Sequence, residues 1–216
     1  QRRIFHGSSL DINWRNGWLI SARPDTLFLA DVRMGAQANK KGRIIFNSAC
    51  SSTVKIPVGI SSCLVGERVR YDGGHKLDTY ITQTLGDYFE YSTFCPEVAI
   101  GMGIPRKPIR LIRLGLDSIR CVAVDDSGRD FTQALEQCTD RQREWHEKLC
   151  GYIFKKNSPS CGLERVKIWA ESSTYAGQEP GEEGVGIYAE KLMENYPTLP
   201  VIDESRLGDA VLRENF

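Results

Sequence analysis

From Ile56 onward, short apolar runs that read as strands alternate with segments that read as helices, and that alternation admits few architectures. Ile56 to Ile60 is apolar enough for a buried strand. Beyond a Gly73-Gly74 turn, Leu77 to Phe89 carries Ile81, Leu85 and Phe89 on one helical face. Tyr91 to Phe94, Ile109 to Leu114 and Cys121 to Val124 read as further strands. Asp130 can cap a helix of about twenty residues running through Phe131, Leu135, Cys138 and Trp145 to Cys150. Gly151 to Phe154 reads as a strand, Val185 to Tyr196 as a helix stopped by Pro197, and Leu199 to Ile202 as a last strand. The implied fold is α/β and Rossmann-like: three layers, with a mostly parallel sheet covered by helices on both faces. Gly177 to Gly186 reads as a Gly/Glu-rich surface loop. Residues 1–54 show weak periodicity and no motif, so they are expected to form an extension to a domain of residues 55–216. Trp14, Trp18, Phe28 and Leu29 give that extension apolar groups able to pack on the domain.

The 28 basic residues are balanced by 28 acidic ones, so no chain-wide field recruits nucleic acid or an anionic membrane. A small neutral substrate fits better. No apolar run approaches the roughly 18 residues of a membrane span, and no signal peptide is visible. These features lead us to expect a cytoplasmic protein, and a monomer is the simplest oligomeric state. The chain opens on Gln1 and first shows methionine at Met34, the pattern of a processed, trimmed or partial start.

Seven cysteines, at positions 50, 63, 95, 121, 138, 150 and 161, are an odd number in a chain too large to need disulfide staples, which favours reduced thiols and metal ligation over a disulfide framework. Cys121 in its apolar run, and Cys138 and Cys150 in the long helical segment, read as small core hydrophobes. Cys63, Cys95 and Cys161 differ, because each sits in a turn of small residues: Ser61-Ser62-Cys63-Leu64-Val65-Gly66, Phe94-Cys95-Pro96-Glu97, and Asn157-Ser158-Pro159-Ser160-Cys161-Gly162. The first two turns end expected strands, so the three would meet on one rim of a parallel sheet, where open α/β folds bind ligands. Spacings of 32 and 66 residues match no zinc-finger pattern and no C-x-x-C occurs, which argues against a structural zinc knuckle. Three unrelated cysteines are the plain alternative. The small residues and proline that hold backbone amides near each sulfur, and the softness of thiolates, favour an iron-sulfur centre with one open position.

At the same residues the chain resembles the bacterial thiouracil desulfidase family. The resemblance is carried by Ser62-Cys63-Leu64-Val65-Gly66-Glu67-Arg68-Val69-Arg70-Tyr71-Asp72-Gly73-Gly74-His75-Lys76, by Cys95-Pro96-Glu97-Val98 with Gly101-Met102-Gly103-Ile104-Pro105-Arg106, and by Gly151 to Lys155 with Ser158 to Leu163. It covers about residues 56 to 216, and the ending Arg206-Leu207 to Leu212-Arg213-Glu214-Asn215-Phe216 looks like the family's terminal motif cut short. The resemblance implies a 4Fe-4S cluster on Cys63, Cys95 and Cys161, and hydrolytic desulfuration of 2-thiouracil to uracil and sulfide. Glu97 is the expected base, against the alternative of a helix-cap glutamate. Ser158 is expected to bond the substrate or relay a proton, with Ser160 nearly as well placed for substrate binding; Tyr71, His75 and Lys76 could shape a pyrimidine pocket. A redox or sulfur-transfer protein could use the same cluster, although electron-transfer clusters normally have all irons ligated by protein. A noncatalytic binding module is the other rival, and S-adenosylmethionine radical chemistry lacks its closely spaced cysteine trio.

Overall fold

The structure, a computed structural model, describes residues 54–115, 118–170 and 181–216 and four short strands nearer the amino terminus. Cys50, Phe28, Leu29 and residues 177–180 of the expected Gly177 to Gly186 loop lie outside the described residues, while Glu182–Gly184 of that loop is a short strand held by antiparallel pairing with Val166 to Ile168. The chain divides into two compact units, Gln1–Ser52 and Thr53–Phe216. In the first, β1 (Asn13–Arg15) pairs antiparallel with β2 (Trp18–Ile20), and β3 (Ala36–Ala38) with β4 (Ile44–Phe46).

The second unit has the expected α/β character, with its strands shared between two four-stranded sheets. The first sheet is parallel throughout, in the order β12 (Val201–Asp203), β9 (Gly151–Phe154), β5 (Ile56–Ser61), β6 (Phe89–Phe94). The second is mixed, in the order β11 (Glu182–Gly184), β10 (Val166–Ala170), β7 (Ile109–Leu114), β8 (Ser118–Ala123). The central strands of the parallel sheet read as continuous apolar runs because both faces are covered. Val58, Ile60 and Ile153 pack with Leu64, Ile81 and Leu207 on one face. On the other, Tyr152 and Phe154 pack with Tyr188, Ala189 and Leu192 of α4 (Ile187–Asn195). The mixed sheet buries Leu111, Val166 and Ile168 with Cys121, Ile187 and Leu135 of α2 (Thr132–Arg141).

Strand β5 lies between β6 and β9, so the chain leaves it in one direction and returns on the other side. That arrangement is a topological switch point, and a crevice forms outside the carboxyl ends of the strands there. The register puts Ser61 beside Phe94, and Ile60 beside Ile153. The turns that leave β5, β6 and β9 are therefore neighbours, and these carry the three cysteines.

Three further elements depart from the sequence expectation. The helix expected over Leu77 to Phe89 is a π turn over Tyr80–Thr84 and a 3-10 turn over Leu85–Asp87, and Phe89 already opens β6. Asp78 caps the turn by accepting from the Tyr80 and Ile81 amides at 2.9 and 3.2 Å. The alternation of Phe89, Tyr91 and Thr93 suits pairing with β5 better than a continued helix. The expected twenty-residue helix breaks at Gln142 into α2 and α3 (Arg143–His146), although Asp130 does accept from the Thr132 amide at 2.8 Å. Gln142, four residues after Cys138, puts a polar side chain on its apolar stripe. Cys150, expected in a buried helix, is exposed in the link before β9, its amide donating to the Pro57 carbonyl at 2.8 Å. Among the described residues no helix is long and apolar enough to cross a membrane.

Candidate active site

Cys63 sits in the 3-10 turn Ser62–Val65 that follows β5 directly. The turn closes on Gly66, whose φ of 97° lies in the left-handed region that glycine adopts without strain. Two amides hold the Cys63 carbonyl, Gly66 at 3.4 Å and Lys76 at 2.8 Å. Cys95 follows β6 directly and occupies the cap position of α1 (Pro96–Ala99), with Pro96 at the first helical position, where a missing N–H costs nothing. Cys161 closes the polar turn after β9. The first turn of α4 fixes it: Ile187 donates to the Pro159 carbonyl at 3.1 Å, Tyr188 and Ala189 to that of Ser160 at 3.0 and 3.1 Å. The free amides of a helix start thus become the scaffold of a cysteine turn. Gly186 permits the approach, since a Cβ there would stand 2.6 Å from the Ser160 carbonyl carbon.

The three cysteines line one cavity of about 680 Å³, within the range of small-molecule sites. Cys121, Cys138 and Cys150 do not line it. Burial, the neighbouring Cys95 thiol and Glu204 push the Cys63 thiol up to about 11, against the lowering effect of Lys155 and Arg70. Burial also raises Cys95 and Cys161, the latter aided by Cys95. Among the described residues no three His, Cys, Asp or Glu side chains converge tightly enough for a single metal ion. Three thiols along one cavity wall, those of Cys63 and Cys161 buried and that of Cys95 half-buried, instead suit a larger group that brings its own positive charge, as an iron-sulfur cluster does.

Beside the thiols runs a hydrogen-bonded chain of side chains. Glu97 Oε2 accepts from Arg106 Nε at 2.9 Å and Nη2 at 2.8 Å, while Glu97 Oε1 accepts from Ser160 Oγ at 2.7 Å. Ser160 Oγ lies 3.0 Å from Ser158 Oγ. Ser158 Oγ also accepts from the Cys161 amide at 3.2 Å. Ser160 has one hydroxyl proton and gives it to Glu97, so Ser158 is the donor between the serines. Ser160 is fully buried, whereas Ser158 is half-buried at the cavity wall.

Of the other expected pocket residues, Tyr71 lines the cavity, with the Arg70 guanidinium 5.4 Å from its ring centre. His75 and Lys76 do not line it. The exposed His75 uses Nδ1 to accept from the Leu77 amide at 3.1 Å, and Lys76 contributes its backbone to the Cys63 turn. Adjacency in the sequence motif suggested both, but the Gly73-Gly74 turn carries their side chains away. Sequence reasoning gave no role to Arg106, at the end of the Gly101 to Arg106 run, or to Lys155. Lys155 pairs with Glu204, and its amide donates to Ser61 Oγ at 3.0 Å. The mixed sheet adds Arg110, Lys167 and Trp169 to the wall.

Known proteins share this arrangement of sequence and fold. The solved structure of the 4Fe-4S-dependent thiouracil desulfidase TudS is similar, with a TM-score of 0.56 and 27% identity over 74% of this chain and 99% of that one. The uncharacterized protein YbbK of Bacillus subtilis (strain 168) is 30% identical over 155 residues, 69% of this chain and 97% of its own. The sequence profile of 2-thiouracil desulfurase matches residues 58–204, a span that includes all three cysteine turns, Glu97 and both serines, and the chain belongs to the 2-thiouracil desulfurase family.

Proposed function

We propose that this protein is a desulfidase that depends on a 4Fe-4S cluster and removes sulfur hydrolytically from a thiolated pyrimidine, turning 2-thiouracil into uracil and hydrogen sulfide. The observation that supports it most is the meeting of three cysteine turns with a carboxylate-serine chain in one cavity at the switch point. Cys63, Cys95 and Cys161 would hold the cluster. When bound, the cluster supplies, at the iron without a cysteine, a soft Lewis acid for the thiocarbonyl sulfur.

The remaining chemistry belongs to the side chains. Water attacks the thiocarbonyl carbon, the carbon-sulfur bond breaks, and both water hydrogens leave with sulfur as hydrogen sulfide; no electron is gained or lost. Ser158 takes a proton from the attacking water as its own passes to Ser160, and Glu97 receives the proton of Ser160. The proton returns along the same path to the departing sulfur. Tyr71 borders the space where the ring lies.

The test is anaerobic reconstitution with iron and sulfide, followed by incubation with 2-thiouracil in water enriched in oxygen-18. Uracil carrying the heavy oxygen and an equal amount of sulfide are expected. Cluster-loaded protein that releases no sulfide from 2-thiouracil or from other thiolated pyrimidines would refute the assignment.

A further inference from the structure

We propose that Arg106 is a positioning residue of this reaction: it holds one oxygen of Glu97 so that the other stays committed to Ser160, which fixes the direction of the serine relay. The inference rests on the desulfidase reading. Two donors of the guanidinium, Nε at 2.9 Å and Nη2 at 2.8 Å, converge on the same oxygen, Oε2. An arginine that merely neutralised a carboxylate would commonly span both oxygens. Here Oε1 is left to the Ser160 hydroxyl at 2.7 Å.

Arg106 is itself anchored on two sides. Its Nη1 donates to the Gly103 carbonyl at 3.0 Å and its backbone amide to the Tyr71 carbonyl at 2.8 Å. The Glu97 carbonyl is held in turn by the Met102 amide at 3.2 Å. Residues 97 to 106 therefore form a loop whose two ends are closed on each other by the Glu97–Arg106 pair, with side chains only 13% and 5% exposed. Within that frame the carboxylate cannot rotate to exchange its oxygens unless it leaves both guanidinium donors. A lysine would keep the charge but offer a point donor on a flexible stem, which permits that rotation.

Relay through two hydroxyls demands aligned donors, and a displacement of about 1 Å can cost roughly 100-fold in rate. Arg106→Lys in the cluster-loaded protein should keep iron content and the visible cluster absorption, leave KM within about threefold, and lower kcat by roughly 30-fold or more. Because Arg106 acts through Glu97, the double variant Glu97→Gln/Arg106→Lys should be no more than about threefold slower than Glu97→Gln alone. Millimolar guanidinium should restore part of the kcat of Arg106→Ala. The proposal fails if Arg106→Lys turns over within about threefold of the parent, if only KM rises, if the losses multiply in the double variant, or if iron is lost. A parent protein that loads its cluster and releases no sulfide would overturn the desulfidase reading first, and that result is seen before any variant is compared.

Discussion

Cys63, Cys95 and Cys161 are set apart from Cys121 and Cys138 less by depth than by what surrounds the sulfur. All but Cys95 are buried, yet the first three border a cavity and the other two fill apolar clusters or helix contacts. Replacing Cys63, Cys95 or Cys161 by Ala should therefore abolish cluster binding, while Cys121→Ala, Cys138→Ala and Cys150→Ala retain it. Iron and sulfide analysis after anaerobic reconstitution distinguishes the two sets, and loss of iron from Cys138→Ala alone would overturn the ligand assignment. Glu97→Gln keeps the size of the side chain and a carbonyl oxygen for Arg106 while removing the basic site. It should load the cluster and lose roughly 100-fold or more in desulfuration; a rate within a few-fold of the parent would exclude Glu97 as the base. That Cys63, Cys95, Cys161 and Glu97 meet at one cavity was legible in the sequence because each sits next to a turn signal. Arg106 was not, because its role depends on a partner nine positions away that only the folded loop brings within 2.8 Å.

At the scale of elements, the start of α4 carries the Cys161 turn, and Gly186 is where the two meet. Gly186→Ala would drive a methyl group into the Ser160 backbone, at 2.6 to 2.7 Å from its carbonyl. It should destabilise the fold by about 1–3 kcal/mol, as overpacking does, and weaken cluster retention more than activity per loaded cluster. Thermal melting with iron titration measures both, and an unchanged melting point would show that the turn yields without cost. The same helix is tied to α3 by a buried hydrogen bond of 2.7 Å between His146 Nε2 and the Tyr188 hydroxyl. Burial pulls the His146 imidazole down to about 4, against about 6.5 in an unfolded chain. Above pH 6.5 the ring is neutral in both states and this contribution to stability is intact. As pH falls toward 4 the unfolded chain binds the proton first, and stability drops by about 3 kcal/mol. Denaturant unfolding of the parent and His146→Gln at pH 7 and 4.5 should converge at the lower pH; parallel profiles would exclude His146 as the cause. Elements with both faces buried, such as β5 and β9, were legible from continuous apolar runs. The segment from Leu77 to Phe89 was misread because three apolar positions four apart, Ile81, Leu85 and Phe89, fit a helix, while the strand partner that claims Phe89 lies more than thirty residues earlier, at Ile56.

For the whole molecule, the question is whether the chemistry needs the first unit. Among the described residues, those that line the cavity fall between Ser61 and Ser205, and both sheets of the second unit are built from strands that start no earlier than Ile56. The first strand is secured from within its own unit: the Ile56 amide donates to the Tyr88 carbonyl at 2.9 Å, and Lys55 Nζ to the Gly86 carbonyl at 2.5 Å. We therefore expect residues 1–54 to be dispensable for catalysis, and a chain beginning at Lys55 to fold, load its cluster and release sulfide within a few-fold of the parent rate. Some stability can still be lost. Any apolar surface that the shortening newly exposes to water would cost about 25 cal/mol for each Å². Iron content and sulfide release should accordingly be compared well below the melting temperature of the shortened chain, so that a stability difference does not register as a catalytic one. A shortened chain that folds and carries iron yet does not turn over would mean that residues before Lys55 complete the active site, and the functional boundary would then move toward the amino terminus.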